Sequence, residues 1–155
     1  MELLEAFGFV TLAFEDLSPL EQIALMAQAE VVVSAHGAGF ANMLFANPQA
    51  TVIEIGTLQT AQIRWGDFWP VAHASRCRYV SFIADHDSDT PQAVPDFTTD
   101  GIVPAHLTDK GLGRVMAYVA ALCGHVPRLS RAEDVARLAE QLLRSANLDR
   151  AEAVL

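Results

Sequence analysis

The chain has 155 residues, 52% hydrophobic and 19% charged, which suits one folded domain with a sizeable core and excludes a disordered chain. A net charge of −9 excludes a general nucleic-acid or anionic-membrane surface, since either needs a basic footprint. Two cysteines without paired spacing, no signal-peptide pattern and no apolar run near the roughly 20 residues of a membrane span point to a reducing, cytoplasmic setting.

In chain order, residues 2–7 read as a helix end closed by Gly8, and residues 9–14 (FVTLAF) as a first strand. Ser18, Pro19 and Glu21 form a capping-box start for a helix running to about Ala29, with Leu20, Ile23, Ala24 and Ala27 on one face. Residues 30–34 (EVVVS) read as a short strand buried on both faces, because consecutive β-branched residues suit the interior of a parallel sheet. The turn Ala35-His36-Gly37-Ala38-Gly39 follows, and residues 40–46 read as a helix with Phe40, Met43, Leu44 and Phe45 on or beside its apolar face. Residues 51–55 (TVIEI) are a third strand ended by Gly56. Residues 57–76 read as an irregular loop and then a short helix over 71–75. Residues 77–84 are a fourth strand. Residues 85–110, rich in aspartate and proline, read as an irregular surface excursion within a single domain spanning 1–155. Helices over 112–122 and from Ser130 onward make a helical C-terminal part, the last with a stripe of Val135, Leu138, Leu142 and Leu143.

Alternating strands and helices with short joints predict an α/β fold: a Rossmann-like, mostly parallel sheet flanked by helices. Ligands of such sheets sit at the carboxyl ends of the strands, where the His36 turn falls. A strand, a glycine-bearing turn and a helix start together direct backbone N–H groups and a helix dipole at an anion. The expected ligand is therefore a nucleotide phosphate held at His36, Gly37, Ala38, Gly39 and Phe40, with Asn42 bracing the turn. His36 has a plainer alternative as a turn histidine bonding backbone, and Gly37 and Gly39 as residues of positive φ. Glu54 is either a site carboxylate at a strand end or an edge charge facing water. Trp65, Phe68 and Trp69 are candidates to stack on a sugar or base or, equally, to plug surface that a further domain would cover, and Arg64 is a possible second phosphate partner.

Two other features compete with this reading. The turn is similar to an esterase oxyanion turn, but no Gly-x-Ser-x-Gly nucleophile accompanies it. The run Asp85-His86-Asp87-Ser88-Asp89, with Asp96 further on, has the spacing of a cation loop, yet Thr90 stands where that loop needs glycine. Solvated surface is the ordinary use of such a run in an acidic chain, and no metal site is assigned.

The stretch from about 8 to 56 resembles the C-terminal half of glycosyltransferase family 61, which includes capsular-polysaccharide enzymes and O-linked N-acetylglucosaminyl and plant xylosyl transferases. The resemblance rests on Glu21-Gln22, Ala27–Ala29, Val31–Val33, His36–Gly39, Asn42 and Val52-Ile53-Glu54, in that order. It implies the donor-binding half of a GT-B, inverting, metal-independent glycosyltransferase, with no cofactor and a nucleotide sugar, UDP-linked, as substrate. It implies the diphosphate beside His36 and the turn amides, with Glu54 on the nucleoside side or supporting the turn. The family's arginine-bearing strand and acceptor-binding half stand upstream of the helix in which this sequence opens. The expectation is accordingly a donor half whose glycan acceptor is bound by another domain or partner, and no catalytic residue is assigned. The alternative is a non-catalytic remnant or interaction module that self-associates as a homo-oligomer through the face left by that half.

Overall fold

The structure is a computed structural model and describes residues 2–64, 66–86 and 93–124. Helices α1 (Glu2–Glu5), α2 (Pro19–Gln28), α3 (Leu58–Arg64), α4 (Trp69–Ser75), α5 (Phe97–Asp100) and α6 (Asp109–Cys123) accompany strands β1 (Val31–Ala35), β2 (Thr51–Thr57), β3 (Arg78–His86) and β4 (Ala105–His106). Two 3₁₀ segments, Phe14–Asp16 and Ala38–Phe45, complete the set. The described residues divide into two compact units, one within residues 13–106 and the other of residues 2–12 with 107–124.

The larger unit holds a four-stranded sheet in the order β1-β2-β3-β4. The first three strands run parallel and β4 pairs antiparallel with the end of β3. The mixed α/β architecture with helices flanking a largely parallel sheet is the one expected. β2 lies at its centre, with Val52 and Ile53 fully buried on opposite faces. β1 has one neighbour among the described strands and is only half-buried, so the expectation of a strand covered on both faces is corrected. β-branched side chains suit such a position as well as an interior one, and they do not separate the two.

Several boundaries also differ from the sequence reading. Residues 9–13 form no strand, because no described strand offers them a ladder; Val10 is 76% exposed. α2 begins at the expected place, with the Ser18 and Glu21 halves of the capping box both formed. Its inward face is rotated from the expected one: Met26 is buried and Leu20 is 78% exposed. β2 continues through Gly56 to Thr57, and α3 occupies a segment read as loop. The excursion contains the end of β3, α5, β4 and the start of α6. It is organised by Gln59, whose buried amide donates to the carbonyls of Pro95 (3.1 Å) and Gly101 (2.7 Å) and accepts from the Val103 N–H (2.9 Å). The last helix and its stripe lie outside the described residues.

The segment after β1 is a 3₁₀ helix and not an α-helix. Its period of three explains which residues go inside: Phe40, Met43 and Ala46 are buried, whereas Leu44 and Phe45 are about half exposed. These three join Met26, Val52 and Ala72 in one core cluster, with Phe14, Val32, Phe68, Val71, Cys77 and Tyr79 packed around it. In the smaller unit the buried side chains are Leu3, Ala6 and Phe7 near the start and Val115, Met116 and Val119 of α6. Gly124 ends α6 in the left-handed conformation (φ 62°) that glycine adopts without strain.

Candidate functional site

Register and pleat place the polar residues of the site. Ser34 lies opposite Glu54, and Val52 lies opposite Tyr79. Side chains two apart along a strand share a face, so Val32 and Ser34 of β1, Val52 and Glu54 of β2, and Tyr79 and Ser81 of β3 line the same side. His36, just beyond β1 and held by its N–H to the Ile55 carbonyl (3.0 Å), continues that row. His36, Glu54 and Tyr79 therefore form a diagonal, one residue from each of three neighbouring chain segments.

Along this diagonal the imidazole Nδ1 of His36 bonds Glu54 Oε1, and the Tyr79 hydroxyl donates to Glu54 Oε2. The side chains of His36 and Glu54 are only 14% and 9% exposed. A carboxylate so withdrawn from water needs its donors, and here each oxygen has one. Glu54 is thus no edge charge facing water, and it sits inside β2 and not at its end. The Tyr79 phenol is pushed well above its ordinary range, chiefly by burial, then by its bond to Glu54 and by repulsion from Glu54 and Asp67. It stays a neutral donor. The Phe68 ring stands 5.3 Å from the imidazole and 5.3 Å from the Phe40 ring, and Phe40 meets Tyr79 edge-on at 6.5 Å. The core cluster and the polar diagonal therefore share a wall.

The turn after His36 is built differently from the sequence expectation. Neither Gly37 nor Gly39 takes the left-handed conformation that favours glycine; Gly37 is extended at φ 176°. A Cβ at Gly37 would meet nothing nearer than the Ala35 carbonyl at 3.9 Å, so the fold itself does not require glycine there. At Gly39 a Cβ would come within 3.3 Å of the Phe14 ring. The first bond of the 3₁₀ helix runs from the Phe40 N–H to the Gly37 carbonyl (3.1 Å), which leaves the Ala38 and Gly39 amides without an intrahelical acceptor. Phe40 is 3% exposed, and its side chain belongs to the core.

Asn42 donates to Gln22 Oε1 (2.9 Å), while Gln22 donates to the carbonyls of Phe14 (2.8 Å) and Leu17 (3.1 Å). One glutamine thus ties the 3₁₀ helix to α2 and to the loop before it. Arg64 ends α3 in an exposed ion pair with Asp67 (3.6 Å). Trp69 is half exposed at the start of α4, and Trp65 lies outside the described residues. Of the acidic run only Asp85 and His86 are described; His86 is buried and its Nε2 accepts from the Gln59 N–H (3.3 Å). Among the described residues no group of three or more His, Cys, Asp or Glu side chains is disposed to hold a metal ion. No helix among them is long and apolar enough to cross a membrane.

Tyr79 was not singled out from the sequence. Its signal was available in the period-two pattern: a hydroxylated aromatic two positions before Ser81, on the face that carries Glu54. Gln22 stands out in the sequence by its place in a motif, and its bonds to Phe14, Leu17 and Asn42 emerge only in the fold.

The fold and the site define an α/β protein with a histidine–carboxylate–phenol row beside the free amides of a 3₁₀ helix. The family model described as Glycosyltransferase 61 matches residues 1–53, which bears out the resemblance read from the sequence. The matched span takes in α2, β1, His36, the 3₁₀ helix and Asn42, and stops one residue before Glu54. No curated protein and no solved structure matches the chain.

Proposed function

We propose that this chain is the donor-binding half of a GT-B, inverting, metal-independent glycosyltransferase, and that it holds the diphosphate of a nucleotide sugar against His36 and the amides of Ala38 and Gly39. The observation that carries this reading is the position of His36. It is fixed by Glu54 at the end of β1, next to backbone donors that the 3₁₀ helix does not use. Gly37 supports it, since the bare backbone there has no explanation in the chain's own packing and leaves room for a ligand to approach. Asn42 and Gln22 keep the donors in place, and Glu54 serves His36 with both oxygens engaged within the protein.

The chemistry asks for such an arrangement. As the sugar leaves, the bond between its anomeric carbon and the diphosphate oxygen breaks with the electron pair on the diphosphate. Donors fixed before the reaction stabilise that growing charge without having to reorganise. The acceptor would be a glycan bound by another domain or partner. Isothermal titration of the folded chain with UDP and UDP-sugars tests the reading, and heat that is unchanged by EDTA is expected. His36→Ala should weaken binding by about 1.5–3 kcal/mol, the range for one hydrogen bond to a charged group. Absence of heat with every nucleotide would sink the reading.

A further inference from the structure

The row His36–Glu54–Tyr79 has a direction, and the direction limits what His36 can offer a ligand. Tyr79 gives its only proton to Glu54 Oε2 and holds it firmly. An ionised carboxylate is an acceptor at both oxygens, so the remaining partner of Oε1, the His36 Nδ1, must be a donor. A neutral imidazole carries one N–H. With that proton on Nδ1, Nε2 presents a lone pair, and a lone pair opposite a phosphate oxygen is repulsive. Only the imidazolium carries N–H groups on both nitrogens, one for Glu54 and one for the ligand.

We propose that His36 grips the anionic diphosphate solely as an imidazolium, that binding takes up one proton, and that Tyr79, acting through Glu54, is the positioning residue that imposes this. The inference rests on the diphosphate reading of the site. Among the described residues the groups that bear on the ring are Glu54 from β2, Tyr79 from β3 through Glu54, and Asp67 from the joint before α4, which repels negative charge at Tyr79; the Phe68 ring beside the imidazole is uncharged. Arg64, the nearest cation in the sequence around that joint, is paired with Asp67. Glu54 Oε1 faces the imidazole Nδ1, while the phenol of Tyr79 occupies the second oxygen and keeps the carboxylate from turning away from the ring. A carboxylate on one side and a phosphate on the other then share a single cation between them.

Titration calorimetry of the whole chain with UDP at about pH 8, in buffers of different ionisation enthalpy, reads the proton directly. Uptake near one proton per UDP is expected, with affinity falling about tenfold for each further pH unit. Nitrogen-15 NMR of the unliganded chain at the same pH should show His36 as the Nδ1–H tautomer, a measurement independent of any ligand. In Glu54→Gln the amide can donate to Nδ1 and turn the ring into a neutral Nε2–H donor, so UDP should still bind but with no proton uptake. His36→Gln, which keeps a neutral donor at the position, should likewise remove the uptake. UDP binding by the wild-type chain without proton uptake, or an Nε2–H tautomer in the free chain, overturns this inference and leaves the diphosphate reading intact. A folded wild-type chain that binds no UDP overturns both.

Discussion

Replacing Tyr79 with phenylalanine tests the energetics of the polar row with the least disturbance to packing. Phenylalanine keeps the ring, and with it the edge contact to Phe40, and removes only the hydroxyl that donates to Glu54. The acceptor is a carboxylate in a residue only 7% exposed, so water does not readily replace the lost donor. A hydrogen bond to a charged group is worth about 1.5–3 kcal/mol, and a central value of about 2 kcal/mol lowers the melting temperature of a chain this size by roughly 4–8 °C. The pH dependence carries a sign. The folded chain holds the Tyr79 proton above the phenol's ordinary value, so above about pH 10 the native state binds more protons than the unfolded one, and stability must fall as pH rises. Below that value the phenol is protonated in both states, and its contribution is fully present and flat. Tyr79→Phe should therefore be less stable at neutral pH and show a shallower alkaline decline. Urea unfolding followed by circular dichroism at neutral and alkaline pH measures both. A variant within about 0.5 kcal/mol of wild type, with the alkaline slope unchanged, would refute the assignment of the row.

The remaining predictions concern the frame around the site. Met43→Ala, at a side chain with no exposure in the core cluster, should cost about 2–5 kcal/mol, whereas Leu20→Ala on the outer face of α2 should stay within about 0.5 kcal/mol; the reverse order would restore the apolar stripe expected from the sequence. Gln59→Ala leaves two carbonyls and one N–H without their partner and should cost about 2–4 kcal/mol, with the Val103 amide losing protection in hydrogen exchange. Unchanged protection at Val103 would show that the segment is held by something else. Gly56→Ala brings a Cβ to 3.0 Å from Thr60 Oγ1, which accepts from the Thr57 N–H at 2.7 Å, so thermal unfolding should register a loss of about 1–3 kcal/mol.

The alternation of strands and helices and the start of α2 were legible because local chemistry decides them: a serine, a proline and a glutamate at fixed spacing satisfy a helix end regardless of what packs nearby. The face of α2 was not legible in the same way. Leu20, Ile23, Ala24 and Ala27 and the observed inward residue Met26 are all apolar, and tertiary packing chose between nearly equal stripes. Residues 9–13 had strand composition but lack a described partner, and a strand is stable only through its ladder. At the site, His36 and the turn stood out from their neighbours. The bonds from Glu54 to His36 and Tyr79 depend on register across three chain segments, which no single stretch displays. The plainer reading of Gly37 is a conformational need; the observed φ removes that reason and shifts attention to the space beside it.

The winding of Ala38–Phe45 has a further consequence. At three residues per turn Phe40, Met43 and Ala46 lie in one straight row and enter the core together. Rewound as an α-helix, the same residues would advance about 100° each, placing Met43 roughly 60° and Ala46 roughly 120° away from the line set by Phe40. The row thus acts as a gauge of helical pitch. Any change that relaxed the segment to the commoner helix would swing Met43 out of its socket against Val52 and Met26, and would offer the Phe40 N–H, now bonded to Gly37, a different carbonyl. Core packing thus fixes which amides the 3₁₀ helix leaves without an intrahelical acceptor.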